Sequence, residues 1–162
     1  MGQCGLCGGV LVGGRCPSCD PEKSAGERVA DAIAYVKGQI DSGKRHGADM
    51  RRADEMLTAA QFLFDAGSHE DAQRLVGDAG EAAGDIMIQY EALLSAMRRS
   101  AKKISDARAA GVDTAEAERY LELAEDAKDR TEYKLGISYA VKGAEAASAD
   151  RKKPATGWQS GL

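Results

Sequence analysis

All four cysteines of the chain lie near its N-terminus, in two Cys-x-x-Cys pairs. Cys4 and Cys7 form the first pair and Cys16 and Cys19 the second, with eight residues between the pairs. A spacing of two residues lets both thiolates of a pair point at one metal ion, while backbone N–H groups of the turn donate to the sulfurs. We therefore expect the two pairs to face each other and to bind one structural zinc ion.

Residues 1 to about 20 resemble the short zinc-ribbon modules found at the ends of many prokaryotic proteins, here fused to a helical repeat domain. The matching pattern is Cys-x-x-Cys-Gly, a hydrophobic hairpin around Leu11 and Val12, and a second Cys-x-x-Cys. The resemblance implies a structural zinc bound by the four cysteines, and it implies no particular activity. The chain departs from the pattern at Asp20, where these modules usually have a second glycine.

The two cysteine pairs have three alternatives to zinc binding: iron binding, redox activity and disulfide formation. Iron also binds four thiolates, and the sequence does not decide between the two metals. A redox-active dithiol fits less well because no alternating strands and helices surround the pairs. A disulfide framework would need an oxidising compartment, which nothing in the sequence indicates. A module of about 20 residues buries too little surface to fold alone, so metal binding would supply its folding energy.

The longest apolar stripe of the chain lies between Ser68 and about Ala109 and predicts one long helix. Its residues follow one another at steps of three and four, the period of a helix with one buried face. They are Ala72, Leu75, Ala79, Ala83, Ile86, Tyr90, Leu93, Met97, Ser100 and Ile104. Such a helix would be about 60 Å long, so shorter helices on both sides can pack against it.

Four shorter helices are predicted around the long one. Ser24 and Glu27 form a capping box before the first, and Asp113 and Glu116 form another before the fourth. Asp49 and Thr131 are the expected caps of the second and fifth helices, the fifth running from about Glu132 to Ala149. The expected inward residues are Val29, Ile33, Val36 and Ile40; Ala53, Leu57, Ala60 and Phe64; Ala117, Leu121 and Ala124; and Gly136, Tyr139, Ala140, Gly143 and Ala147.

The chain matches itself when it is shifted so that Gly47 falls on Gly111. In this repeat register Gly47-Ala48-Asp49 lies on Gly111-Val112-Asp113, and the match continues without a gap to Ala83 on Ala147. An internal repeat of this kind indicates a repeated supersecondary unit. We therefore predict a mostly α protein: a small zinc ribbon followed by an elongated bundle of five helices, built from two three-helix repeats that share the long central helix.

Composition and charge are consistent with this division. The predicted domains are the zinc-ribbon module and linker (residues 1–23), the all-α domain (24–149) and a C-terminal tail (150–162). Hydrophobic residues make up 43% of the chain and charged residues 30%, enough for a hydrophobic core. No apolar run reaches the length of a membrane span and no secretory leader is recognised, so we expect a cytoplasmic protein without a membrane partner.

Two segments outside the cysteine pairs are candidates for partner binding. Arg98, Arg99, Lys102 and Lys103 form two i,i+4 pairs on one side of the long helix, although a solvated helix face is the simpler explanation for them. In the tail, the only tryptophan of the chain, Trp158, follows two lysines. It is expected either to pack on the bundle or to belong to a short recognition segment for a partner.

Catalysis has little support in the sequence. His46 and His69 lie at predicted helix boundaries without a cysteine or serine partner, so we expect both to be exposed loop residues. No glycine-rich phosphate loop is present. We expect a non-enzyme without catalytic residues or a small-molecule substrate, acting as a zinc-binding adapter or scaffold in protein–protein interaction. The alternative is a nucleic-acid- or ribosome-associated factor that uses the zinc ribbon and the basic patch, although the acidic helical region, with 17 basic against 23 acidic residues at 25–149, favours the adapter.

Overall fold

The computed structural model describes residues 23–149, which form five α-helices and contain no β-strand. The helices are α1 (Ala25–Arg45), α2 (Arg51–Asp65), α3 (His69–Ala109), α4 (Ala115–Asp129) and α5 (Tyr133–Ala149). The predicted all-α fold with one long, unbroken central helix is thereby confirmed. The predicted zinc ribbon and C-terminal tail lie outside the described residues. None of the helices at residues 23–149 is long and apolar enough to cross a membrane.

The chain divides into two compact units, and the boundary lies between Met87 and Ile88 within α3. Among the described residues, unit 1 contains α1, α2 and the first part of α3. Unit 2 contains the second part of α3 together with α4 and α5. Within residues 23–149, each unit therefore has three helical segments.

Helix α1 begins at the predicted capping box. The Ser24 hydroxyl accepts the backbone N–H of Glu27 at 3.2 Å, and the Glu27 carboxylate accepts the backbone N–H of Ser24 at 2.8 Å. The backbone hydrogen bond from Ser24, and then a side-chain hydrogen bond from the Ser24 hydroxyl, hold the pKa of Glu27 below its ordinary value. The four apolar residues predicted to face inward, Val29, Ile33, Val36 and Ile40, are all buried.

The first loop of each unit ends its helix in the same way. Gly47 and Gly111 have φ angles of 88° and 73°, the left-handed conformation that glycine adopts without steric cost. The next amide donates back across the helix end: Ala48 N to Gly43 O at 3.0 Å in unit 1, and Val112 N to Ala107 O at 3.1 Å in unit 2. Both loops are Schellman motifs, and their hydrogen bonds join equivalent residues of the repeat register.

The second loop of each unit also repeats, with one change of residue. Ser68 N donates to Leu63 O at 2.9 Å in unit 1, and Glu132 N donates to Ala127 O at 2.8 Å in unit 2. The left-handed position is Gly67 in unit 1, with φ 82°, but Thr131 in unit 2, with φ 62°. The prediction that Thr131 caps α5 is therefore wrong, because this residue takes the conformation that closes the preceding helix.

Two further cap predictions are corrected by one residue. The residues before α2 and α4 are Met50 and Thr114, and neither makes a side-chain capping hydrogen bond. Asp49 and Asp113 lie one position earlier, where each carboxylate accepts a backbone N–H two residues on, from Arg51 and Ala115, both at 3.0 Å. These are Asx turns, which lead the chain into the helix without the predicted box at Glu116.

Most of the predicted stripe of α3 is buried. Ala72, Ala79, Ala83, Tyr90, Leu93, Ser100 and Ile104 are buried, and Leu75, Ile86 and Met97 are half-buried. Val76 and Ala96, which were not predicted, are buried as well, so the stripe is wider than the sequence pattern indicated. In α5 the predicted small residues Gly136, Ala140, Gly143 and Ala147 are buried and Tyr139 is half-buried.

The cores of the two units fill equivalent positions with different side chains. In unit 1 a Cβ added to Gly43 would lie 1.9 Å from Cε of the buried Met50, so the methionine occupies the space that glycine leaves. The equivalent positions of unit 2 hold Ala107 and Thr114, both buried. Unit 1 thus combines the smallest residue, Gly43, with the large Met50, whereas unit 2 has a larger residue at the first position and a smaller one at the second. Compensating volume changes of this kind are expected in a close-packed core.

Candidate interaction surfaces

The sequence-predicted site residues are only partly described by the structure. Cys4, Cys7, Cys16 and Cys19, the predicted zinc ligands, lie outside residues 23–149, and so does Trp158. The four residues of the predicted basic patch, Arg98, Arg99, Lys102 and Lys103, lie on the unit 2 part of α3, and all four are exposed. The basic patch is therefore the part of the predicted site that has a defined geometry.

Side chains of the basic patch make different contacts. Arg98 Nε donates to Leu94 O at 3.2 Å, and Lys102 Nζ forms an ion pair with Asp106 at 3.3 Å one turn later. Lys103 Nζ donates to Ser148 Oγ of α5 at 3.3 Å. Exposed contacts of this kind add little stability, about 1 kcal/mol or less each. The charges of the patch thus remain accessible to a partner.

Unit 1 exposes two aromatic side chains that the sequence analysis did not single out. Phe62 on α2 is 75% exposed and Tyr35 on α1 is 50% exposed, with its hydroxyl accepting Gln39 Nε2 at 3.3 Å. An exposed phenylalanine gains nothing for folding, whereas aromatic side chains are enriched where proteins bind one another. Phe62 is therefore a candidate contact residue.

The corresponding surface positions of unit 2 are charged. The residues equivalent to Tyr35 and Phe62 in the repeat register are Arg99 and Asp126, both exposed. The two units therefore share loop hydrogen bonds but present different chemistry to solvent at these positions, aromatic in unit 1 and ionic in unit 2.

One ion pair recurs beside the first loop of both units. Lys44 Nζ lies 2.8 Å from Asp54 Oδ2 in unit 1, and Arg108 Nη2 lies 2.5 Å from Glu118 Oε1 in unit 2. A hydrogen bond from the Thr114 hydroxyl, and then the one from Arg108, hold the pKa of Glu118 below its ordinary value. Because equivalent residues form both pairs and both connect a helix end to the next helix, we assign them to loop structure and not to a site.

His69 differs from the exposed loop residue that the sequence indicated. It is the first residue of α3, half-buried, and its ring lies 5.3 Å from that of Phe64. Its Nδ1 is buried and has no hydrogen-bond partner among the residues that the structure describes. In unit 2 the equivalent residue is Tyr133, which is buried and packs edge-on against Tyr90 at 5.5 Å. His69 is thus a packing residue of unit 1.

Groups of three or more His, Cys, Asp or Glu side chains able to hold a metal ion do not occur in the part of the chain from residue 23 to 149. Comparisons with other proteins add no assignment: no protein-family model, curated protein or solved structure matches the chain. The surfaces of the two units and the sequence of the cysteine pairs are therefore the features that indicate a function.

A signal for the missed residues is present in the sequence. Phe62 lies two residues before Phe64, and Ile88 lies two residues after Ile86. Side chains two residues apart lie on opposite faces of a helix, so Phe62 and Ile88 fall outside the apolar stripe predicted for their helices. Both are strongly exposed, Ile88 at 68%. Large apolar residues that fall off the buried stripe of a helix are the pattern that would have identified them.

Proposed function

We propose that the chain is a non-enzymatic, zinc-binding adapter whose helical repeats present a protein-binding surface. The exposure of Phe62, on a helix whose buried residues are Ala53, Leu57 and Ala60, is the observation that carries this proposal. A partner that covers Phe62 would remove a large apolar surface from water, which is the main source of binding energy at the centre of interfaces. Such a protein would act in the cytoplasm.

The proposal includes an internal duplication. Two three-helix repeats that share α3 account for the sequence match of Gly47 with Gly111 and for the loop hydrogen bonds that recur in the same register. The exchange of Gly43 and Met50 for Ala107 and Thr114 supports it, because related cores change volume at several positions together. Repeats of this kind form elongated scaffolds with large binding surfaces.

Affinity capture with the full-length chain tests the adapter function. Phe62→Asp introduces the residue that unit 2 carries at the equivalent position, and we expect it to lose the captured protein while the helical circular dichroism is kept. Val141→Asp, which replaces an exposed apolar residue of α5, is the matched control and should keep the partner. A partner retained by Phe62→Asp, or one that disappears after nuclease treatment, would contradict the proposal.

A structural zinc ion bound by Cys4, Cys7, Cys16 and Cys19 is the second part of the proposal. The two matched Cys-x-x-Cys pairs support it. Metal analysis of the purified chain should find about one zinc per molecule, as four-thiolate sites bind a single ion. Cys16→Ser should release the zinc and leave the helical signal nearly unchanged. The control Ser18→Ala, which lies between Cys16 and Cys19, should keep the zinc. Stoichiometric iron, or a metal-free but folded N-terminal module, would overturn this part.

A nucleic-acid- or ribosome-associated role is the alternative, and the exposure of all four basic residues at Arg98–Lys103 favours it. Phosphate contacts by such residues are salt-dependent. Fluorescence anisotropy with single-stranded RNA should then show weaker binding for the double variant Arg98→Glu/Lys103→Glu, which leaves the exposed aromatic residues of unit 1 intact.

A further inference from the structure

Two exposed segments of α3 carry opposite charge. In unit 1 the acidic segment presents Asp78, Glu81 and Asp85, and in unit 2 the basic segment presents Arg99 and Lys102; all five are exposed. Of these five, only Lys102 has an ion-pair partner among residues 23–149, and that partner is Asp106 on its own helix. The acidic segment thus has no basic partner within the described part of its own chain.

The charges are arranged symmetrically along the sequence of α3. Three pairs of exposed residues that are equally far from Tyr90 on its two sides have opposite charge: Arg74 and Asp106, Asp78 and Lys102, and Glu81 and Arg99; the next pair inward, Asp85 and Ser95, has one charge only. The positions between them are also matched, since Ile88 and Ala92, both exposed and apolar, lie two residues to either side of Tyr90. Two copies of such a sequence are complementary when they run in opposite directions.

The spacing of these residues suits a pair of helices. From Arg74 to Asp106 the exposed positions follow one another at alternating steps of four and three, the heptad spacing of a coiled-coil seam. Ile88 is 68% exposed at the middle of this run, where an antiparallel copy would bring its Ala92. Covering this isoleucine would add apolar burial to the ionic contacts.

We propose that the chain associates with a second copy of itself through α3, with the acidic segment of one copy docked against the basic segment of the other. The contact occurs twice because each copy carries both segments, so the pair is a closed, two-fold dimer. Exposed ion pairs dominate the interface, so the dimer is weak and dissociates as salt screens the charges. This association goes beyond the adapter function and does not depend on it.

Sedimentation of the full-length, metal-loaded chain over a concentration series tests the proposal. We expect a monomer–dimer equilibrium at low salt that moves toward monomer at high salt. Glu81→Arg and Arg99→Glu should each weaken the association about tenfold or more, because each places like charges together twice in the dimer. The double variant Glu81→Arg/Arg99→Glu exchanges the two charges and should restore the dimer.

Control variants separate this contact from a general effect of charge. Glu125→Arg and Arg119→Glu make the same changes in net charge at exposed positions of α4 and should leave the dissociation constant unchanged. Circular dichroism confirms that each variant is folded. A chain that stays monomeric at low salt overturns the proposal, as does a dimer indifferent to Arg99→Glu or a double variant that is no better than the single ones. None of these outcomes bears on binding at Phe62.

Discussion

Unit 1 places Gly43 against Met50 beside its first loop, whereas Ala107 and Thr114 are the buried residues at the equivalent positions of unit 2. The loops themselves differ very little: the returning hydrogen bonds measure 3.0 and 3.1 Å. Backbone geometry at a helix end is fixed by a few hydrogen bonds and a left-handed residue, whereas a core position depends only on the volume its neighbours leave. In this chain, the core side chains beside the first loop therefore change while the backbone hydrogen bonds of that loop stay the same.

A proline in the shared helix is the most severe way to break the comparison. Ile86→Pro removes a backbone donor and clashes with the preceding turn, which should cost about 3 kcal/mol or more. Since α3 contributes a segment to both units, we expect amide hydrogen exchange to accelerate in both. Ile86→Ala, which keeps the backbone donor of this half-buried residue, is the control and should have a smaller effect. Loss of protection in only one unit would show that the helix is not shared.

Adding a methyl group at the close helix contact of unit 2 should have the next largest effect. A Cβ at Gly143 would lie 2.8 Å from Ser100 Oγ and 3.0 Å from the backbone oxygen of Ala117, which cannot move aside easily. We expect Gly143→Ala to lower the free energy of unfolding by about 1–3 kcal/mol, measured by urea denaturation. The equivalent residue in unit 1, Ala79, is a buried alanine, so only unit 2 has this restriction.

Gly77→Ala is the matched control for this variant, because no atom of the described residues outside the local helix backbone and the two chain neighbours lies within 4 Å of the added Cβ. Alanine is a better helix former than glycine, so this change should raise stability by up to about 1 kcal/mol. If the same glycine-to-alanine change lowers the free energy of unfolding at position 143 and raises it at position 77, close packing at Gly143 is the cause. A neutral or stabilising Gly143→Ala would contradict the packing described for unit 2.

The second loop offers the smallest change. Thr131 has a φ of 62° where unit 1 has Gly67, and a β-branched residue in this conformation is strained by about 1 kcal/mol or slightly more. Thr131→Gly should therefore raise the melting temperature of the chain, despite the greater freedom of glycine when unfolded. The reverse change, Gly67→Thr, should lower it. A Gly67→Thr variant as stable as the parent would show that the loop tolerates either residue without strain.

The apolar periodicity predicted the five helices to within a few residues. Apolar residues at steps of three and four share one face of a helix, whereas a strand would need a period of two. Ser24 and Glu27 were predicted correctly as a capping box, whereas the same spacing at Asp113 and Glu116 gave a wrong prediction because α4 begins one residue later than expected. Thr131 was misassigned because threonine is common at helix starts and rare at positive φ, and only comparison with Gly67 identifies its role.

Surface function was harder to predict than fold. The apolar period indicates which residues face inward, but the width of the buried stripe depends on the helices that pack against it. The burial of Val76 and Ala96 and the exposure of Phe62 were therefore not predicted. The basic patch at Arg98–Lys103 is exposed as expected, yet exposure does not identify a partner. The zinc site stays a prediction because its four cysteines lie outside residues 23–149.

We propose that the two units are copies of one structure that differ in their core residues, and exchanging a core pair between them is a test of this proposal. Urea denaturation of four chains is required: the parent, Gly43→Ala, Met50→Thr, and the double variant that carries the unit 2 pair in unit 1. Met50→Thr should cost about 2 kcal/mol or more by leaving a cavity, and Gly43→Ala should crowd the methionine. We expect the double variant to be at least about 1 kcal/mol more stable than the sum of the single effects predicts. Additive losses would contradict the equivalence of the two units.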